Sequence, residues 1–126
     1  MNSRPLSPHL QAYRLPVTGL ISISHRITGA VLSIGALLLL LVPISIALGP
    51  DSFKATHAFL ASMPGRSLLW LWVLSLLFHL CHGVRHLLWD LGHGYCREHL
   101  TRYAVAELIG FGFLVTLVWL ASLDSA

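Results

Sequence analysis

The sequence predicts an all-α membrane protein that crosses the bilayer with three helices. Of its 126 residues, 56% are hydrophobic and only 10% are charged, whereas about a quarter of the residues of a soluble domain carry a charge. A spanning helix needs about 20 mostly apolar residues. Segments 19–48, 67–91 and 103–123 each meet this requirement. A chain of this length is expected to fold as a single domain, residues 1–126.

The ends of these segments carry residues that are typical of a membrane boundary. The first segment is closed by a Gly-Pro pair, and Pro43 is expected to distort it. Tryptophans mark both ends of the second segment. Residues 49–67 and 92–102 form polar connections, of which the first could contain a short interfacial helix. Residues 1–18 contain several prolines and are expected to form a tail on the cytoplasmic side.

The distribution of basic residues predicts this orientation. The net charge of +3 is too small and too scattered to indicate nucleic-acid binding. Most of the lysines and arginines flank the hydrophobic segments, with Lys54 and Arg66 on one side of the membrane. The other side has Arg4, Arg14, Arg26, Arg85, Arg97 and Arg102. By the positive-inside rule, the N-terminus lies in the cytoplasm.

Three histidines lie on one face of the second segment. Winding it at about 100° per residue gathers polar and small residues in one arc, opposite an apolar face. These residues are Ser75, His79, His82, Gly83, His86 and Asp90. Ionisable groups inside a span are costly and usually mark function. The simpler alternative is that the histidines only form hydrogen bonds between helices.

Haem is the ligand that suits this face best. Zinc would require about four nitrogen or sulfur ligands, and one helix face offers two at most. A proton or metal relay would need polar residues on the other helices, where the third segment has only Glu107 and Thr116. Haem needs an imidazole for its iron, space beside its ring and cations near its propionates. Because no Cys-x-x-Cys-His motif occurs, the haem would be bound non-covalently.

The positions of the three histidines predict different roles for them. His79 lies near the middle of the segment with Gly83 one turn away, and His86 follows about 10 Å further along the helix, a spacing similar to that between a haem iron and its propionates. His82 projects from the same side as His79, whereas two axial ligands approach the iron from opposite faces. The second iron ligand must therefore come from elsewhere.

A second polar face is predicted on the first segment. It consists of Ser22, His25, Arg26, Gly29 and Ser33. Arg26 could simply extend to the interface, or it could bind propionates, because an arginine remains charged and can bond bidentately. A serine and an arginine could also donate hydrogen bonds to a quinone carbonyl.

Two stretches of the chain match a known family. The first comprises residues 4–10 (Arg-Pro-Leu-Ser-Pro-His-Leu), 13–14 (Tyr-Arg) and 22–29 (Ser-Ile-Ser-His-Arg-Ile-Thr-Gly). The second is His79-x-x-x-Gly83-x-Arg85-His86-Leu87-x-Trp89-Asp90-Leu91-Gly92. Together they resemble the family of cytochrome b556 subunits, the larger membrane anchors of succinate dehydrogenase. The third segment matches only as a hydrophobic span.

The resemblance implies an anchor that forms a helical bundle with a second three-helix anchor subunit and shares one haem b with it. His79 matches the family's axial iron ligand, and His25, Arg26 and His86 match positions near the propionates. Ser22 and Arg26 match its ubiquinone site. Asp90 is expected to be structural or part of the polar edge. His82 falls where the family pattern is open, and it is expected only to pack or to support the ligands.

By the same resemblance, succinate is oxidised on a flavoprotein subunit, and electrons reach quinone through an iron-sulfur subunit. This chain has no flavin fingerprint and no cysteine cluster, which is expected of an anchor that supplies only the quinone end. The expected location is the bacterial inner membrane rather than the mitochondrial one. Three alternatives remain: a fumarate reductase anchor, a histidine-lined metal or proton transport protein, and a structural anchor without haem.

Overall fold

The computed structural model describes residues 15–94, 96 and 99–123. In this part of the chain the secondary structure is helical, without strands. The helices are α1 (Val17–Leu39), α2 (Leu41–Leu48), α3 (Pro50–Ala61), α4 (Met63–Asp90) and α5 (Leu100–Leu123). The stretches Val17–Leu48, Met63–Asp90 and Leu100–Leu123 are long and apolar enough to cross a membrane. The predicted all-α fold with three candidate spans is therefore confirmed.

The first span contains a discontinuity between α1 and α2. Pro43 has no backbone N–H, and its ring opposes the carbonyl of Leu39, four residues earlier. The helix is interrupted at Leu40, which nevertheless keeps helical dihedral angles (φ −61°, ψ −22°). The distortion expected at Pro43 thus lies in this turn, and the two helices together form one apolar stretch.

The connection between the first two spans is mostly helical. Gly49 has a positive φ of 114°, a conformation that favours glycine, and Pro50 begins α3. Helix α4 begins at Met63, earlier than the predicted residue 67, because Ser62 caps it by accepting a hydrogen bond from the Gly65 N–H at 3.4 Å. A side chain at Gly65 would collide with the backbone of Phe59. A tight corner between α3 and α4 therefore extends the second helix beyond its apolar part.

Helices α1 and α5 both pack against α4 in antiparallel directions. The indole of Trp72 lies where a Cβ of Gly35 would be, and its Nε1 donates to the Leu32 carbonyl at 3.4 Å. On the other side, the rings of Phe78 and Phe111 meet edge to face, with centroids 5.5 Å apart. Small residues let membrane helices approach closely, and this approach aligns the polar faces of α1 and α4.

The distribution of burial is the reverse of that in a soluble domain. Among the described residues, the buried apolar side chains are only those of Ile21 and Ala104, and most large apolar side chains are exposed. The buried polar residues are Ser45, Ser75, His82, Arg85 and Glu107. An apolar exterior around a polar interior suits a protein whose outer surface contacts lipid or another membrane subunit.

Candidate functional site

Four imidazole rings meet between α1 and α4. The rings of His25 and His79 are stacked, with centroids 3.9 Å apart and planes inclined by 17°. The His82 ring lies 4.6 Å from that of His25 and 4.8 Å from that of His86. The packing of α1 against α4 therefore places His25 on the side of α4 that carries the histidines. Three residues predicted to form the site, His25, His79 and His86, are thus brought together with His82.

The ring of His79 is oriented by the backbone of α1. Its Nδ1 lies 3.2 Å from the carbonyl oxygen of His25. Since a carbonyl can only accept, Nδ1 carries the proton and donates it. The Thr28 hydroxyl donates to the same carbonyl at 2.9 Å and lies 3.4 Å from Nδ1. The lone pair is therefore on Nε2, which is the form of a histidine that ligates a metal.

The space around this ring is set by glycines. A Cβ on Gly29 would lie 3.2 Å from Cε1 of His79, so a larger residue would push the ring away. A Cβ on Gly83 would meet no atom of the described chain within 4 Å. The helix surface one turn from His79 is therefore open enough for a flat macrocycle to approach.

His25 has a polar ring atom without a partner, and the ring of the neighbouring His86 is exposed. Within the described residues, Nε2 of His25 is buried and has no hydrogen-bond partner, although buried polar atoms nearly always have one. His86 is exposed, and its ring is perpendicular to that of Trp89, with centroids 5.0 Å apart. A carboxylate placed beside these two imidazoles would provide the missing partner of His25.

Arg26 and Ser22 lie on α1 at the end of the helix that carries His25. The side chain of Arg26 is exposed, and within the described ranges it forms no hydrogen bond or ion pair. Ser22 is half-buried one turn closer to the N-terminus. Both side chains are thus available to a ligand at this end of the helix. The matching residues 4–10 and 13–14 of the tail lie outside the described residues.

A buried network connects the site to α5, and the sequence did not reveal it. His82 Nδ1 lies 2.8 Å from Glu107 Oε1, and Arg85 Nη1 lies 3.1 Å from Glu107 Oε2. The exposed fractions of these side chains are only 2%, 3% and 7% for His82, Glu107 and Arg85. By sequence, Arg85 counts among the basic residues that flank a span, and the structure shows in addition that its guanidinium is buried inside the bundle and held by Glu107. A lone carboxylate in an apolar span was the signal that could have predicted such a partner.

The donor set fits haem better than it fits a bare metal ion. His25, His82 and His86 each have a potential ligand atom, and these atoms lie within 4.8 Å of one another. In a tetrahedral zinc site the nitrogen atoms would be about 3.3 Å apart and a fourth ligand would be required. Haem needs only the free Nε2 of His79 from this cluster. It would also place propionates near the unpartnered His25 and the cationic Arg26.

Comparison with known proteins gives consistent matches over most of the chain. Residues 1–122 match the family described as succinate dehydrogenase/fumarate reductase transmembrane subunit. The succinate dehydrogenase cytochrome b556 subunit of Paracoccus denitrificans is 36% identical over 115 residues, which cover 91% of this chain and 88% of that protein. The cytochrome b560 subunit of Reclinomonas americana is 35% identical, covering 92% and 83%. The mitochondrial b560 subunit of Sus scrofa is 38% identical, covering 86% and 65%.

Proposed function

The chain belongs to the family of succinate dehydrogenase and fumarate reductase transmembrane subunits, and from this membership we propose that it binds one haem b together with a second three-helix anchor subunit. By similarity to its relatives, it is a cytochrome b membrane anchor of succinate dehydrogenase and part of an oxidoreductase complex. Its three apolar helices make it a multi-pass membrane protein. The haem, the quinone site and the identity of the partners belong to the proposal.

The orientation of His79 is the observation that carries the haem proposal. The His25 carbonyl takes the proton of Nδ1 and leaves the lone pair on Nε2. This ring is fixed in the required tautomer and rotation by the fold of the apolar helices themselves. His79 would therefore ligate the haem iron as one axial ligand, while His25, Arg26 and His86 would lie on the propionate side.

The exposure of the histidines supports a haem shared with another chain. His79 is half-buried and His86 is exposed, whereas His82 points into the bundle of this chain. A haem held by His79 would therefore be only partly enclosed by the described part of this chain. Its opposite face and its second axial ligand would then come from the second anchor subunit. When bound, the haem supplies reversible one-electron chemistry at its iron.

We also propose that Ser22 and Arg26 bind ubiquinone at the cytoplasmic end of α1. A hydroxyl and a guanidinium are both hydrogen-bond donors that suit a quinone carbonyl, and both are available at this end of the helix. The iron-sulfur subunit would close the site, and the flavoprotein subunit would oxidise succinate. Without Arg85, the basic residues still favour a cytoplasmic N-terminus in a bacterial inner membrane, since Arg26 and Arg102 remain on that side with the arginines at 4, 14 and 97.

The alternatives receive less support. The relatives described above are succinate dehydrogenase subunits, which favours succinate oxidation over fumarate reduction. A proton or metal transport protein would need a polar path through the membrane. In the described part of the chain the hydroxyl of Ser75 is bonded to its own helix at Leu71, and the next layer is formed by Phe78 and Phe111. Among the described residues, the buried ionisable side chains of His82, Arg85 and Glu107 therefore lie together at one end of the bundle.

Co-expression with the other subunits tests the haem proposal directly. The purified complex is expected to show the bands of a b-type haem in its dithionite-reduced minus oxidised spectrum, with one haem per complex. The assay requires gel filtration to establish that all subunits are present. A fully assembled complex without these bands would contradict the proposal and would favour an anchor that lacks haem.

Substitution of Arg26 tests the quinone proposal. Arg26→Ala is expected to reduce succinate-driven quinone reduction roughly ten- to hundredfold, because a hydrogen bond from a charged donor contributes about 1.5–3 kcal/mol. Dye reduction at the flavoprotein should remain unchanged. Ser22→Ala should act in the same direction with a smaller effect. The matched controls are Arg66→Ala and Ser67→Ala, since both residues are exposed and lie at the start of α4, away from Ser22 and Arg26. Equal loss of both activities in Arg26→Ala would indicate damage to assembly instead.

A further inference from the structure

The carboxylate of Glu107 is held from two sides at the interface of α4 and α5. Its Oε1 accepts from His82 Nδ1 at 2.8 Å, and its Oε2 accepts from Arg85 Nη1 at 3.1 Å. Arg85 also donates through Nη2 to the Leu100 carbonyl at 3.4 Å. Both carboxylate oxygens are thus engaged, and the side chains that engage them are buried. This network links the third span to the histidine cluster.

This carboxylate fixes the orientation of His82. The Nδ1–H donates to Glu107, so the opposite edge of the ring, with Nε2, is turned away from α5. The ring also lies 4.6 Å from that of His25 and 4.8 Å from that of His86. A carboxylate that accepts a hydrogen bond from an imidazole commonly orients the histidines of metal sites. Glu107 therefore influences the propionate side of the cluster through His82, although it lies on a different helix.

The charge of Glu107 should also act electrostatically on a haem bound at this site. Charges interact over longer distances in a nonpolar interior than in water, because little solvent screens them. A buried negative charge stabilises a ferric haem relative to a ferrous one and so lowers its reduction potential. Arg85 offsets this effect in the native chain. Removal of the carboxylate alone would leave the positive charge of Arg85 uncompensated.

We propose that Glu107 is a positioning residue of the haem site, which orients His82 against His25 and His86 and lowers the reduction potential of the haem. This inference rests on the proposed function, since it assumes that a haem occupies the His79 side of α4. It gives a role to His82 and to the third span, which the family pattern leaves open.

The test is the haem midpoint potential of the purified complex carrying Glu107→Gln. Glutamine keeps the shape of the side chain and an oxygen that can accept from His82, but it removes the charge. The b-type spectrum and haem content are expected to be retained, and the potential is expected to become more positive. The matched control is Thr116→Val on the same helix. The Thr116 hydroxyl is exposed and bonds the Gly112 carbonyl of its own helix at 2.9 Å, so its loss should not change the potential.

A second variant separates positioning from charge alone. His82→Asn leaves the pair of Glu107 and Arg85 intact, and we expect the haem to remain bound with an altered potential. If Glu107→Gln does not assemble, His82→Asn alone decides the question.

The proposal is overturned if His82→Asn has the potential of the native complex, or if Glu107→Gln assembles with an unchanged or more negative potential. Native complex without haem would instead refute the proposed function. The two failures are therefore distinguishable, since the first requires a haem spectrum and the second its absence.

Discussion

Replacement of His79 with alanine is expected to abolish the b-type haem spectrum of the assembled complex. The variant lacks the imidazole whose Nδ1 is bonded to the His25 carbonyl and whose Nε2 is thereby left free for iron. Haem content should fall to less than roughly a tenth of the native value, since one of two axial ligands is lost. The measurement is the reduced minus oxidised spectrum, normalised to the amount of complex.

Two controls distinguish iron ligation from general damage in this experiment. His57→Ala removes an exposed histidine of α3 at the other end of the bundle, and it should leave the spectrum unchanged. Added imidazole should partly restore the spectrum of His79→Ala, because the deleted ring leaves space for it. A native spectrum in His79→Ala, together with loss of haem in His82→Asn, would show that His82 is the iron ligand.

The features of the fold that the sequence predicted are those that depend on local patterns. Apolar length predicts a span, and the helical period of 3.6 residues predicts which residues share a face. The alignment of His79, His82 and His86 follows from these rules alone. The start of α4 at Met63 was missed because Pro64 and Arg66 are typical of a connection. Capping by Ser62 extended the helix past its apolar part.

The part of the site that the sequence did not predict depends on the packing between helices. The rotation and register of α5 against α4 decide that Glu107 meets His82 and Arg85. The third segment is apolar on nearly all sides. Its hydrophobic periodicity therefore does not predict which face packs against α4 or in which register. An arginine at the end of a span is usually counted as an interfacial residue. Only the position of Glu107 on the neighbouring helix shows that Arg85 is directed inward.

Arg85→Leu is expected to destabilise the complex strongly. It leaves the buried carboxylate of Glu107 without its cation, and breaking a buried ion pair in this way costs about 3–5 kcal/mol. The double variant Arg85→Leu/Glu107→Gln should recover most of this loss, because no unpaired charge remains and the amide oxygen can still accept from His82. The measurement is the thermal stability of the detergent-solubilised complex, followed by gel filtration after heating.

The guanidinium of Arg85 also lies over the ring of Trp89, 4.8 Å from its centroid. The comparison of the single and double variants tests whether Arg85 stabilises the complex through Glu107 or through this contact with Trp89. Loss of the cation–π contact would cost both variants the same, about 1–2 kcal/mol. Loss of the ion pair would lower the thermal stability of the single variant only. Arg102→Leu, at an exposed position near the start of α5, should have almost no effect. Equal destabilisation of the single and double variants would show that the stacking on Trp89, and not the buried charge pair, holds Arg85 in the bundle.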